Sequence, residues 1–135
     1  ASMQTSMVSL DSAEIQLNGE AADDWAGFSV SSLADSDGDG LPEILVGAPQ
    51  NDEAYSNAGK AYVIYGASLS PGVTGLEEAD LSYMGEDTNN YAGYDLSMAG
   101  DVNNDGLKDL LIGAYGNNSN GPNTGRVYLF TDLMD

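Results

Sequence analysis

Cysteine and histidine are both missing from the chain, and only three residues are basic: Lys60, Lys108 and Arg126. Without cysteine there can be no disulfide, and thiols say nothing about redox compartment. Without histidine the commonest general base, the usual transition-metal ligand and the usual pH switch are gone. The shortage of positive charge disfavours binding to nucleic acid or to an anionic membrane. No stretch approaches the roughly 20 apolar residues of a membrane span. The first residues lack the charged start and apolar run of a signal peptide, so an exported form is expected to carry its signal outside this sequence.

What is abundant is acid. Twenty-two aspartates and glutamates give a net charge of −19, yet 41% of residues are hydrophobic, enough to build a core. The acids are not scattered evenly. Asp35-Ser36-Asp37-Gly38-Asp39-Gly40-Leu41-Pro42-Glu43 carries carboxylates at loop positions 1, 3, 5 and 9 and glycine at 6, and runs directly into Ile44-Leu45-Val46-Gly47-Ala48-Pro49. Alternate residues of a tight loop turn inward, glycine permits the bend, and the carbonyl of Leu41 at position 7 adds an oxygen. Such a shell suits calcium, which takes 6–8 oxygens in a forgiving geometry. The pattern recurs in Asp101-Val102-Asn103-Asn104-Asp105-Gly106-Leu107-Lys108-Asp109, followed by Leu110-Leu111-Ile112-Gly113-Ala114-Tyr115. Two filled loops would reduce the charge only from −19 to −15, so the remaining acidity is read as a solvated surface.

The two loops belong to an internal repeat with an offset of 66 residues. Ile15-Gln16-Leu17-Asn18-Gly19-Glu20 aligns with Leu81-Ser82-Tyr83-Met84-Gly85-Glu86. Trp25-Ala26-Gly27-Phe28 aligns with Tyr91-Ala92-Gly93-Tyr94, and Gly59-Lys60-Ala61-Tyr62-Val63 with Gly125-Arg126-Val127-Tyr128-Leu129, without insertion between Ile15 and Asp132. A strand-rich period of this size points to propeller blades or another modular array. Strands are predicted at 28–34, 44–46, 61–65 and 81–84, with 70–75 as a connecting loop and no convincing helix, Glu77 and Glu78 opening at most a short turn. The fold class is therefore all-β, with two four-stranded antiparallel blades. Residues 1–14 form an N-terminal extension, 15–80 the first repeat and 81–135 a second repeat that lacks its outer strand.

That asymmetry matters. The segment 15–17 is a spare copy of the outer strand, and the second repeat ends on an unpaired edge. Exposed edges recruit partner strands, and a propeller closes with about 4–8 blades. Either further blades complete the ring, or copies join head to tail, the spare strand of one completing the second blade of the next. Such a contact closes into a ring or continues as a filament.

Among calcium loops, EF-hand-like alternatives need an acid at position 12. Val46 and Ile112 stand there, inside apolar strands, and the acid sits at position 9 instead (Glu43, Asp109). Asn103 lowers the charge of the second loop, which is expected to bind more weakly. The order Trp25-Ala26-Gly27-Phe28, DxDxDGxxE, Gly47-Ala48-Pro49 and Gly59-x-Ala-Tyr-Val resembles the FG-GAP repeat of integrin α-subunit β-propellers and their bacterial relatives, over about residues 15–132. The Phe-Gly pair departs as Gly27-Phe28 and Gly93-Tyr94, the second Gly-Ala-Pro as Gly113-Ala114-Tyr115, and Glu43 stands where the family usually has aspartate. The resemblance implies one four-stranded blade per repeat, calcium in a strand-connecting hairpin loop, and roles in adhesion or extracellular recognition. It assigns as ligands Asp35, Asp37, Asp39, the Leu41 carbonyl and Glu43, then Asp101, Asn103, Asp105, the Leu107 carbonyl and Asp109.

The expected function is thus non-enzymatic: a calcium-stabilised, secreted or cell-surface adhesive module that assembles with copies of itself or with further blades. The alternative is a carbohydrate- or protein-binding propeller fragment of a larger adhesin or enzyme, with Tyr55 and Tyr115 as the best ligand contacts. The aromatic residues with repeat counterparts are expected to pack between blades. Paired carboxylates can hydrolyse glycosides, but the clustered acids here are committed to metal. Asn117-Asn118-Ser119 is a glycosylation sequon in a polar loop.

Overall fold

The computed structural model describes residues 6–133. Nine strands occur in order: β1 (Ile15–Asn18), β2 (Ser29–Leu33), β3 (Glu43–Ala48), β4 (Lys60–Ile64), β5 (Gly72–Gly75), β6 (Leu81–Met84), β7 (Asp95–Gly100), β8 (Asp109–Ala114) and β9 (Arg126–Phe130). The only helical segments among the described residues are three short 3₁₀ turns, so the fold is all-β.

β2, β3, β4 and β6 form a four-stranded antiparallel sheet in that spatial order, and β7, β8 and β9 a three-stranded antiparallel sheet. The two sheets face each other, and the faces follow from the period of two along each strand. Leu45 of β3 and Ala61 and Val63 of β4 point toward the second sheet, where Leu96, Leu110, Ile112 and Ala114 meet them in one buried cluster. Their neighbours Val46, Tyr62 and Ile64 point the other way, into a second cluster with Ala48 and Leu76. Each fully buried aliphatic side chain contributes on the order of 1.5–3 kcal/mol.

The sheets approach closely because of glycine. A Cβ on Gly47 would lie 2.0 Å from the carbonyl oxygen of Gly93, and one on Gly59 2.3 Å from the backbone of Ala92. Ser29 Oγ donates to the same Gly93 carbonyl at 2.7 Å, which fixes β2 against the start of β7. Among the described residues, the second sheet's outward face has no such cover. Val127 and Leu129 are 69% and 47% exposed, although their counterparts Ala61 and Val63 are buried.

Residues 70–75 were expected to form a loop. Gly72–Gly75 is instead β5, paired parallel to β1 with Ile15 opposite Gly72 and Asn18 opposite Gly75. A strand of glycine, valine and threonine carries too little periodicity to be read locally, and its partner lies far back in the chain. The spare strand β1 is therefore bonded on one edge within the same molecule. The edge used can be identified. Gly72 N–H donates to Glu14 O at 2.7 Å, so residues 14, 16 and 18 face β5. In β6 the corresponding Gly85 N–H donates to Gly59 O, so residues 81, 83 and 85 face β4. β5 thus occupies the side of β1 that matches the outer, free side of β6. The side of β1 formed by 15, 17 and 19 has no partner strand among the described residues.

The turn near Glu77 and Glu78 also matters more than expected. It is the 3₁₀ turn Leu76–Glu78, and it buries Leu76 to 2% exposure beneath the first sheet.

Candidate metal centre

Each acidic loop is the connection of a hairpin, between β2 and β3 and between β7 and β8. Its ninth residue is the first residue of the following strand, which holds that carboxylate against the sheet while the earlier acids ride on the loop. In the first loop Asp35 accepts from Gly38 N–H (2.7 Å) and Gly40 N–H (3.0 Å), Asp37 from Asp39 N–H (3.1 Å), and Asp39 from Leu41 N–H (2.7 Å). These bonds turn the side chains inward, and carboxylate oxygens of Asp35, Asp37, Asp39 and Glu43 lie within 4.8 Å of one another.

The second loop reproduces the pattern. Asp101 accepts from Asp105 N–H (2.9 Å) and Gly106 N–H (2.8 Å), and Asp105 accepts from Leu107 N–H (2.8 Å). Asn103 donates its amide to Asp105 at 2.9 Å, so the position-3 residue pins a neighbouring carboxylate. The register of the second hairpin also shifts between Met98 and Gly100, a bulge the first hairpin lacks. Among the described residues, only the first loop gathers its acids as tightly as stated above.

Glu43 and Asp109 are 1% and 0% exposed. One oxygen of each accepts a backbone N–H, from Ser36 at 3.0 Å and from Val102 at 2.6 Å. The other oxygen of each, Glu43 Oε1 and Asp109 Oδ1, is buried without a hydrogen-bond partner. Leaving a buried carboxylate oxygen unpaired is costly. Burial pushes the Glu43 carboxyl above its ordinary pKa; the Ser36 bonds offset part of this, while Asp37 and Asp35 add to it. A hard cation answers both problems, since it supplies a partner for the orphaned oxygen and cancels the mutual repulsion. The donor set is entirely oxygen, and it fits calcium.

A second constellation repeats with the same offset. Lys60 pairs with Glu20 at 2.7 Å and with Glu53, and Arg126 pairs with Glu86 at 2.7 Å. Asn51 donates to Asp24 at 2.7 Å, and Asn117 to Asn90 at 3.2 Å. Burial alone would lower the Lys60 pKa, but the bonds to Glu20 and Glu53 raise it. Tyr128 donates to Glu86 at 2.6 Å, and burial together with that bond pushes the phenol up to about 12. Lys60, Arg126, Asn117 and Tyr128 are each named from the sequence but not as one network, although both members of the Lys60/Arg126 and Asn51/Asn117 pairs stand at the repeat offset. The network closes the proposed sequon: Asn117 is 1% exposed, and its amide donates to Glu86, Asn90 and Tyr128.

The sequence model of the FG-GAP repeat matches residues 26–64 and again 92–130, the same offset that relates the two loops. The chain belongs to the FG-GAP repeat family. Among its relatives, integrin alpha-M of Mus musculus is 32% identical over 105 residues, covering 76% of this chain and 9% of that protein. Integrin alpha-7 of Homo sapiens is 33% identical over 101 residues, covering 75% and 8%. Integrin alpha-PS2 of Drosophila melanogaster is 31% identical over 121 residues, covering 84% and 8%. The chain spans less than a tenth of the length of these relatives. The all-β sheets described above are of the propeller type that this FG-GAP match implies.

The FG-GAP turns place five aromatic rings in a run. Trp25 stacks on Phe28 at 6.0 Å, Phe28 meets Tyr94 at 4.6 Å, Tyr94 meets Tyr115 at 4.7 Å and Tyr115 stacks on Tyr91 at 5.1 Å. Phe28 and Tyr94, which precede β2 and β7, meet across the two sheets. Trp25, Phe28, Tyr94 and Tyr115 nevertheless remain about half exposed, because the turns that carry them lie at the sheet ends. Tyr55 is exposed away from this run.

Proposed function

We propose that this chain is a calcium-stabilised, non-enzymatic β-propeller module of an extracellular adhesive or structural protein, each repeat forming one blade. The observation that carries the reading is the matched pair of buried, partnerless oxygens, Glu43 Oε1 and Asp109 Oδ1. They stand at the same position of two loops otherwise arranged around oxygen donors. Asp35, Asp37, Asp39, Glu43 and the Leu41 carbonyl hold one calcium; Asp101, Asn103, Asp105, Asp109 and the Leu107 carbonyl hold the other. The first site is the tighter, since it presents four carboxylates and the second three. Calcium at the concentrations found outside cells favours an extracellular setting. With the ~0.1–1 mM dissociation constants of extracellular modules, each site contributes about 0.4–1.4 kcal/mol at millimolar calcium.

Copies assemble head to tail. The free side of β1 and the free edge of β9 are the two halves of a contact already present between β6 and β4. Shifted by the repeat, the pairing of Lys60 with Met84 and of Val63 with Leu81 sets Arg126 opposite Asn18 and Leu129 opposite Ile15 of a second copy.

Titration calorimetry and thermal melting test the metal reading. Two calcium ions per chain are expected, with a melting temperature several degrees higher in millimolar calcium than in chelator. A folded chain whose melting ignores both would overturn it.

The exposed aromatic run supports a second reading, a glycan- or protein-binding module of the same architecture. Aromatic faces stack on sugar rings, and Tyr115 and Tyr55 are accessible. That reading expects glycan-array binding that disappears in Tyr115→Ala or Tyr55→Ala; a blank array would remove its glycan form.

A further inference from the structure

The two acidic loops are neighbours, and one side chain reaches from the second to the first. Their hairpins are packed together along the strands: Leu33 and Leu45, which flank the first loop, share a buried cluster with Leu96 and Leu110, which flank the second. At the loop ends, a methyl group built on Gly38 would lie 3.9 Å from Leu107 Cδ2, an ordinary van der Waals distance. Both ends of this approach belong to backbone that holds carboxylates. Gly38 N–H donates to Asp35 at 2.7 Å, and Leu107 N–H donates to Asp105 at 2.8 Å. The Leu107 carbonyl is also the oxygen assigned above to the second ion. Leu41 holds the same place in the first loop and is 47% exposed, whereas Leu107 is partly buried. One leucine is covered by a neighbouring loop and the other is not.

We infer that Leu107 couples the two loops, so that calcium in the second raises the affinity of the first, and the reverse. This rests on the calcium reading proposed above and adds that the two sites are not independent. In an empty loop the carboxylates repel one another and loosen the backbone that carries them; an ion draws them together and sets that backbone. Filling the second loop fixes the carbonyl of Leu107 and with it the side chain that meets Gly38. The first loop then orders against a surface already in place, and its ion meets a smaller entropy cost. Coupling of this kind is reciprocal. One effect opposes it: the first ion removes two negative charges from the field that attracts the second. Salt confines that effect to about 8 Å at physiological ionic strength, whereas the contact is unaffected.

A double-mutant cycle tests the coupling in the intact chain at physiological salt. Asp105→Asn with Asp109→Asn disables the second loop, keeps the side-chain shapes and leaves Leu107 in place. Calorimetry then reads the affinity of the first site alone. Disabling the second loop should weaken the first site ~3–10-fold when Leu107 is present. In a Leu107→Ala background the same change should matter less than about 2-fold. Leu41→Ala is the control: it removes the equivalent leucine and should leave the coupling intact. A second measurement needs no disabled loop. In the parent, the Gly38 amide resonance should move as each of the two ions binds; in Leu107→Ala it should move with the first-site ion only. Two bound ions with a first-site affinity indifferent to the second loop would overturn the coupling and leave the calcium reading standing, as would full coupling in Leu107→Ala. A parent that binds no calcium would remove both.

Discussion

Glu43 combines three unfavourable features in one side chain. It is buried, its carboxylate lies within 4.8 Å of those of Asp35, Asp37 and Asp39, and one of its oxygens has no hydrogen-bond partner. Glutamine at this position keeps the shape and can still accept from Ser36 N–H, but removes the charge. Its effect should change sign with the solution. In chelator, Glu43→Gln should leave the fold as stable as the parent or more stable by about 1 kcal/mol, because a buried charge is gone. In millimolar calcium the same variant should be the less stable protein, having lost most of one site's contribution. Parallel melts of both proteins in both buffers read this directly. An unchanged calcium response in the variant would mean that Glu43 is not a ligand. At this scale the sequence was informative, since alternation of acids with a glycine at position six is a local pattern. The orphaned oxygens were not visible there, because they depend on how the strand buries its first residue.

The glycines at the start of each FG-GAP turn show how elements are joined. Gly47 and Gly113 hold equivalent places in β3 and β8, yet their surroundings differ entirely. An added Cβ at Gly47 meets the Gly93 carbonyl at 2.0 Å and Ser29 Oγ at 2.2 Å, whereas at Gly113 the nearest atom is the Asp95 carbonyl oxygen at 3.6 Å, an ordinary contact. Gly47→Ala must push the two sheets apart and should cost about 2–3 kcal/mol. Gly113→Ala should stay within about 0.5 kcal/mol of the parent. Urea midpoints at unchanged slope would record the contrast, and equal losses from both would show that Gly47 does not set the spacing. Elements with strong local signals, such as β3 with its continuous apolar run, were legible from sequence. β5 was not, because its glycine-rich segment becomes a strand only through β1, more than fifty residues earlier. The buried Leu76 was missed for the same reason: one leucine in an acidic turn has no periodicity.

The whole molecule presents the same surface twice, covered once. Between the sheets, Leu45, Ala61 and Val63 are sealed by the second sheet; on the far side their counterparts Leu111, Val127 and Leu129 are left partly or largely open. Covering that face with a second copy repeats a contact the chain already makes, but each copy brings a net charge of −19. Self-repulsion therefore opposes assembly, and anything that lowers it favours assembly. Calcium held at the proposed hairpin-loop sites would neutralise part of the charge, and salt shortens the reach of the rest to about 8 Å at physiological ionic strength. Light scattering should accordingly find a mass that rises with protein concentration, with calcium and with moderate salt, and that falls to one chain in chelator at low salt. Gly113→Ala gives the sharper result. Its added methyl lies where the turn of an incoming copy would pack, as Gly93 packs on Gly47, so this variant should remain a monomer under every condition while melting like the parent. Assembly of Gly113→Ala at parental mass would refute the head-to-tail contact. A parent monomeric throughout would assign the open face to other blades, and calcium would then stabilise a module completed elsewhere.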